Sequence, residues 1–120
     1  DLQMIVHCAD ISNPTRPWMQ CREWAVLITE ENIRQSEKAK ALNVNVSPSM
    51  DRQKVSLAKS QQFFLQTFVM PCFKTFGNVV PSFARMTLEL AESNNQKWDE
   101  ERAKELTHPG ALFSLELKRQ

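Results

Sequence analysis

The chain has 120 residues, of which 42% are apolar, 8% aromatic and 24% charged, enough to bury one modest core and too apolar for a disordered tail. Its 15 basic and 14 acidic residues leave a net charge of +1 without a block of like charges, so neither nucleic acid nor an anionic membrane surface is indicated as a partner. No apolar run approaches the ~20 residues needed to cross a bilayer, and the chain opens in a helical pattern rather than a leader, as a piece of a larger domain would.

The first helix is predicted to end near Asp10. Leu2, Ile5, Val6 and Ala9 fall at i, i+3, i+4 and i+7 and predict its buried stripe. Asp10, followed by Ser12-Asn13-Pro14, reads in two ways. It suits a turn, because Pro14 pushes Asn13 out of the helical region, and it suits a metal ligand, because a desolvated carboxylate needs a cation or hydrogen bonds. Pro17 opens a second helix over 17–41, with Trp18, Cys21, Trp24 and Leu27/Ile28 on one face. Beyond Ile28 the stripe turns polar. The i,i+4 pair Glu30/Arg34, and Lys38 and Lys40 at the dipole's negative end, predict a solvated extension. Residues 43–48 break helicity as a surface loop, with Val44 and Val46 as its inward candidates.

A third helix over 53–76 carries Leu57, Gln61, Phe64/Leu65, Phe68, Cys72 and Phe76 along one stripe, and Pro71 predicts a kink in it. Gln61 is the anomaly there. A primary amide in an apolar stripe needs partners for both donors and acceptor, and either neighbouring backbone or a purine edge could supply them. Gly77-Asn78 marks a turn, and Pro81 opens a fourth helix to about Leu106 with Phe83, Met86/Thr87, Leu90, Asn94 and Trp98 along one side. The charge run 99–105 predicts a solvated face. His108 reads as a loop side chain, and Leu112, Phe113, Leu115 and Leu117 could dock as a last short helix or strand. Cys8, Cys21 and Cys72 lack CxxC spacing and sit in or beside apolar stripes, which predicts buried free thiols and a reducing, cytoplasmic setting. The architecture is all-α, four kinked helices without a strand-period segment, repeat or Gly-rich phosphate loop.

The run His7-Cys8-Ala9-Asp10-Ile11-Ser12-Asn13-Pro14 is followed in order by Glu23-Trp24, Thr29-Glu30-Glu31, Ser47-Pro48-Ser49-Met50-Asp51-Arg52 and Lys59-Ser60-Gln61. In wording and spacing it resembles the C-terminal third of the class I cyclic nucleotide phosphodiesterase catalytic domain, from about Met4 to Phe73 and more thinly to Trp98. The resemblance implies a four-helix C-terminal fragment of a multi-helix domain over 1–106, with 107–120 as a tail. It further implies hydrolysis of cAMP and/or cGMP to the 5′-monophosphate by a two-metal site of Zn2+ and Mg2+. Carried over by position, Asp10 matches the last metal-ligating aspartate and Asn13 an amide near the base. Trp24 and Ile28 match apolar wall positions, Gln61 the residue reading the purine edge, and Phe64 the aromatic stacking on the base opposite Ile28.

The family's His-Asn-x-x-x-His segment and His-Asp pair are not in this sequence, so the remaining ligands and the protonating histidine are expected upstream and no catalytic residue in this chain. The fragment alone is expected to be inactive and, with apolar faces uncovered, to self-associate; a homodimer stays open. Where the family usually has Glu-Glu-Phe-x-x-Gln-Gly-Asp, this chain has Glu30-Glu31-Asn32-Ile33-Arg34-Gln35-Ser36-Glu37. Phe63 stands where a small residue is usual. The alternative reading is a non-catalytic, phosphodiesterase-like helical binding module.

Overall fold

Helices α1 (Leu2–Asp10), α2 (Trp18–Ala41), α3 (Leu57–Phe64), α4 (Met70–Phe76) and α5 (Pro81–Thr107) build the protein in a computed structural model, which describes residues 2–108. A π-helical segment, Leu65–Val69, joins α3 to α4 without a break, so these read as one bent rod and the described residues form four helices with no strand. The all-α expectation holds, and the observed boundaries follow the sequence punctuation. Pro17 precedes α2 with its carbonyl accepting from Cys21 N at 3.0 Å, and Asn43, in the left-handed region at φ 58°, ends it. The docking expected at Leu112, Phe113, Leu115 and Leu117 lies outside the described residues.

The bend has a chemical cause. Pro71 brings no N–H, and in a regular helix its ring would strike the carbonyl four residues back. The turn before it is widened, with Met70 N donating to the Leu65 carbonyl five residues earlier, which accommodates the ring inside a continuous rod.

The core lies where α3 to α4 crosses α5 and α2: Ala58, Leu65, Val69 and Phe73 pack with Ala91 and Trp98 of α5 and Cys21 and Ala25 of α2. The expected third stripe holds at Leu57, Leu65 and Phe76, which are buried, and is corrected by one position between them. Ala58, Gln62, Leu65, Val69 and Phe73 face inward, whereas Phe68 is exposed and Gln61 and Phe64 are half-buried. One residue turns a helical side chain by about 100°, so two adjacent apolar faces are separated by a single step in sequence. The first helix is corrected in the same way. Leu2, Ile5 and Val6 are 79%, 50% and 67% exposed, and α1 turns Cys8, with Met4 and Ile11, to the core instead. Cys8 Sγ lies 3.3 Å from Cys72 Sγ; both are free thiols, as is Cys21. Burial, reinforced by the Cys72 contact, pushes the Cys8 thiol up to about 11, and burial takes Cys21 to about 11 as well.

The charge run of α5 is not simply a solvated face. Trp98, Glu101 and Glu105 share one side of the helix, and the two carboxylates follow the tryptophan inward. Glu101 is buried and accepts from Arg22 Nε at 3.2 Å and Lys104 Nζ at 2.7 Å. Burial alone would raise its carboxyl; the hydrogen bonds from Lys104 and Arg22 outweigh this and hold it below the usual glutamate range. Glu105 accepts from Ala58 N at 3.0 Å and from Ser56 Oγ, while that hydroxyl accepts from Lys59 N at 3.1 Å. The start of α3 is thus capped from its own sequence and from α5.

The loop after α2 is strapped down by charge. Arg52 donates to both carboxylate oxygens of Glu30 at 2.8 and 2.9 Å and to Glu37 at 3.0 Å, and Lys40 pairs with Asp51 at 3.0 Å. The predicted Glu30/Arg34 pair forms at 3.0 Å. Val44 is exposed rather than tucked inward.

Candidate functional site

Between α2 and the outer face of α3 lies an open cavity of about 850 Å³, within the range of small-molecule sites. It is walled by the end of α1, the middle of α2, the loop before α3, and α3 with its π extension. Asp10 and Asn13 stand at one end, Ile28 on the α2 side, and Gln61, Phe64 and Phe68 on the α3 side.

Each position follows from local chemistry. After Asp10 the chain leaves α1 and makes the 3-10 turn Asn13–Thr15, closed by Thr15 N to Ser12 O at 2.9 Å, Thr15 Oγ1 to the same carbonyl at 2.7 Å, and Arg16 N to Asn13 O at 3.1 Å. Pro14 is buried within that turn. Asn13 is thereby directed to the cavity, and its Oδ1 is buried with no hydrogen-bond partner among the described residues. A buried amide oxygen left without a donor carries a desolvation cost of about 1–3 kcal/mol.

Gln61 and Phe64, three positions apart on α3, line the cavity together. The Phe64 ring lies 5.9 Å from that of Phe68, tilted by 38°, and Phe63 meets Phe68 edge-on at 6.1 Å, so three phenylalanines rim this side. The buried amide of α3 is the neighbour Gln62, whose Nε2 donates to Asp99 Oδ1 at 2.7 Å across to α5. The α3 rod therefore points one glutamine at the core and the next at the cavity.

Asp10, Asn13, Ile28, Gln61 and Phe64 are brought to one cavity. Trp24 is not: it stands one helical turn before Ile28, is 48% exposed, and lies off the cavity wall. The residue-by-residue reading missed Thr29 and Ile33 on α2, and Met50, Lys54 and Val55 in the preceding loop. The α2 pair follows Ile28 at i+1 and i+5, a spacing that could have found them. The loop residues carry no periodic signal, and the ion pairs of Arg52 and of Lys40 with Asp51 hold the loop there.

No group of three or more His, Cys, Asp or Glu side chains able to hold a metal ion occurs among the described residues. Among the described residues Asp10 is the cavity's one carboxylate, and divalent zinc or magnesium sites need several ligands, so these residues do not by themselves make a metal centre.

Helices alone, folded around an open apolar cavity with the carboxylate of Asp10 and the amides of Asn13, Asn32 and Gln61 on its wall, define an all-α segment with a cavity of small-molecule size. A solved structure of LmjPDEB1 in complex with IBMX has a similar fold, with a TM-score of 0.75 at 31% identity over 81% of this chain and 29% of that one. The chain belongs to the 3′5′-cyclic nucleotide phosphodiesterase family, a family of hydrolases, whose sequence pattern matches residues 1–90. It is 38% identical over 104 residues, 87% of its length, to the probable 3′,5′-cyclic-AMP phosphodiesterase pde-4 of Caenorhabditis elegans. It is 36% identical over 78% of its length to isoform F of the Drosophila melanogaster 3′,5′-cyclic-AMP phosphodiesterase, and 33% over 84% to the Mus musculus 3′,5′-cyclic-AMP phosphodiesterase 4C. The chain spans only 14% to 15% of the length of these relatives. No helix of the described residues is long and apolar enough to cross a membrane.

Proposed function

We propose that this chain forms the base-binding wall of a 3′,5′-cyclic nucleotide phosphodiesterase that takes cAMP, and that it acts only as part of the complete catalytic domain. In this reading a planar purine enters between Phe64 and Ile28, Gln61 hydrogen-bonds its edge, and Asn13 supplies a further amide. Supporting it above all is the convergence of Asn13, Ile28, Gln61 and Phe64 on one apolar cavity, with the Asn13 Oδ1 buried and unpartnered. Aromatic and aliphatic walls remove the base from water, and two amides give direction to that otherwise unspecific burial. The cAMP assignment rests on the relatives, each named as a cyclic-AMP phosphodiesterase.

Asp10 would contribute one carboxylate to a Zn2+ and Mg2+ pair whose other ligands lie outside this chain. Two-metal hydrolysis is therefore a property of the complete domain, and what these residues do is bind and orient the nucleotide.

The test is steady-state hydrolysis of cAMP and cGMP by the complete protein containing this segment, with and without Gln61→Ala. Loss of edge hydrogen bonds should raise KM for the preferred nucleotide most and narrow the gap between the two. Unchanged affinity and selectivity would remove Gln61 from the site, and a complete protein that binds cAMP without cleaving it would leave a binding module.

A further inference from the structure

Asn94 sits in the middle of α5 at 2% exposure, where asparagine is a poor helix former and a buried amide must find partners. Both lie far back in the sequence. Its Nδ2 donates to the Pro14 carbonyl at 2.8 Å and to the Arg16 carbonyl at 2.7 Å, spanning 80 and 78 residues of sequence. A primary amide has two N–H groups, so this pair uses its entire donor capacity on one turn.

That turn is the one that presents Asn13. Its remaining bonds, from Thr15 and Arg16 back to Ser12 and Asn13, are local and do not tie the turn to the rest of the molecule. Asn94 is what ties it to a long, well-packed helix. The anchorage is rigid, because Trp98, one turn further along α5, is fully buried and meets Trp18 edge-on at 4.8 Å just after the turn. From these contacts we propose that Asn94 is a positioning residue for nucleotide binding: by holding the carbonyls of Pro14 and Arg16 it fixes the direction in which Asn13 offers its side chain to the cavity. Asn94 is not on the cavity wall, so it acts through Asn13 alone. The inference rests on the nucleotide-binding reading above.

The test is a double-mutant cycle in the complete protein. Asn94→Ala should raise KM for cAMP about tenfold, equivalent to ~1.4 kcal/mol, with kcat within about twofold. In an Asn13→Ala background the same substitution should raise KM less than about twofold, because the group it positions is already gone. Amide hydrogen exchange should accelerate at Thr15 and Arg16 while Leu65 and Trp98 stay protected. Penalties that multiply across the cycle, an unchanged KM, or loss of protection throughout α5 would each overturn the proposal. If Asn94→Ala does not fold, Asn94→Ser, which keeps one donor, carries the same cycle with smaller expected effects. A wild-type protein that neither binds nor cleaves cAMP would sink the nucleotide reading instead, and exchange at Thr15 and Arg16 would then decide by itself whether Asn94 holds the turn.

Discussion

The rod from α3 through α4 has one side turned to α5 and one turned to the cavity, and the two are built by different rules. Toward α5, Ala58, Leu65, Val69 and Phe73 are buried, and the one amide among them, Gln62, is paired with Asp99. Toward the cavity, Phe63 is 62% and Phe68 52% exposed, and Asn13 at the cavity's end keeps a buried oxygen without a donor. The first side is closed by packing and pairs its amide within the chain, and the second faces an open cavity. Stability and recognition are thus assigned to faces one residue apart on the same helix, so neighbouring substitutions should fail in unrelated ways.

Two phenylalanines test this most sharply. Phe73→Ala, on the closed side at 1% exposure, should cost about 3–5 kcal/mol of stability in denaturant unfolding of the complete protein, with KM nearly unchanged in the fraction that folds. Phe64→Ala should cost less in unfolding and instead remove base stacking of about 1–3 kcal/mol, raising KM for cAMP and cGMP alike. Equal stability losses at the two sites would break the comparison.

The adjacent glutamines give the next contrast. Gln62→Ala deletes the hydrogen bond to Asp99 and should lower stability by ~1 kcal/mol without moving KM, whereas Gln61→Ala should move KM and leave the unfolding midpoint within error. Paired unfolding curves and Michaelis plots on the two variants read both effects together.

The smallest effect concerns the loop that closes the cavity. The Arg52 hydrogen bonds hold the Glu30 carboxyl below the usual glutamate range, with Arg34 adding to them. A carboxyl depressed on folding stabilises the native state above its unfolded pKa of about 4.3, and that stabilisation is lost as pH falls through the lower native value. Hydrogen exchange across 47–55 should therefore quicken in acid below about pH 4, and Arg52→Ala should remove most of that pH dependence. A loop whose exchange has the same acid response in wild type and Arg52→Ala is not held by this pair.

The helices were legible in the sequence because their ends are written in strong chemistry: Pro17, Pro81 and Gly77-Asn78 punctuate, and Pro71 marks the bend. Which face turns inward was not legible where a helix has two apolar faces. Leu2, Ile5 and Val6 form a better stripe than Cys8 with Met4, yet only the latter meets neighbours here, because apolar periodicity reports what could be buried and not against what. The charge run of α5 hid its anchors for the complementary reason: Glu101 and Glu105 look like any solvated carboxylates until Arg22 and Ser56 arrive from distant sequence. At the cavity, Gln61 stood out as an amide among apolar residues, but Asn13 and Asp10 read equally well as turn residues, and family resemblance singled them out.

The position of α5 in the chain has a consequence for how the protein is made. Its anchoring bonds reach back across long stretches already synthesised: 80 residues from Asn94 to Pro14, 79 from Glu101 to Arg22, and 49 from Glu105 to Ser56. On the ribosome the turn carrying Asn13 and the start of α3 emerge well before the α5 groups that hold them, and have only the local turn bonds and the Ser56 cap until α5 leaves the exit tunnel. Such distant closures are slow steps in folding, so this region completes late and in one event, when α5 docks.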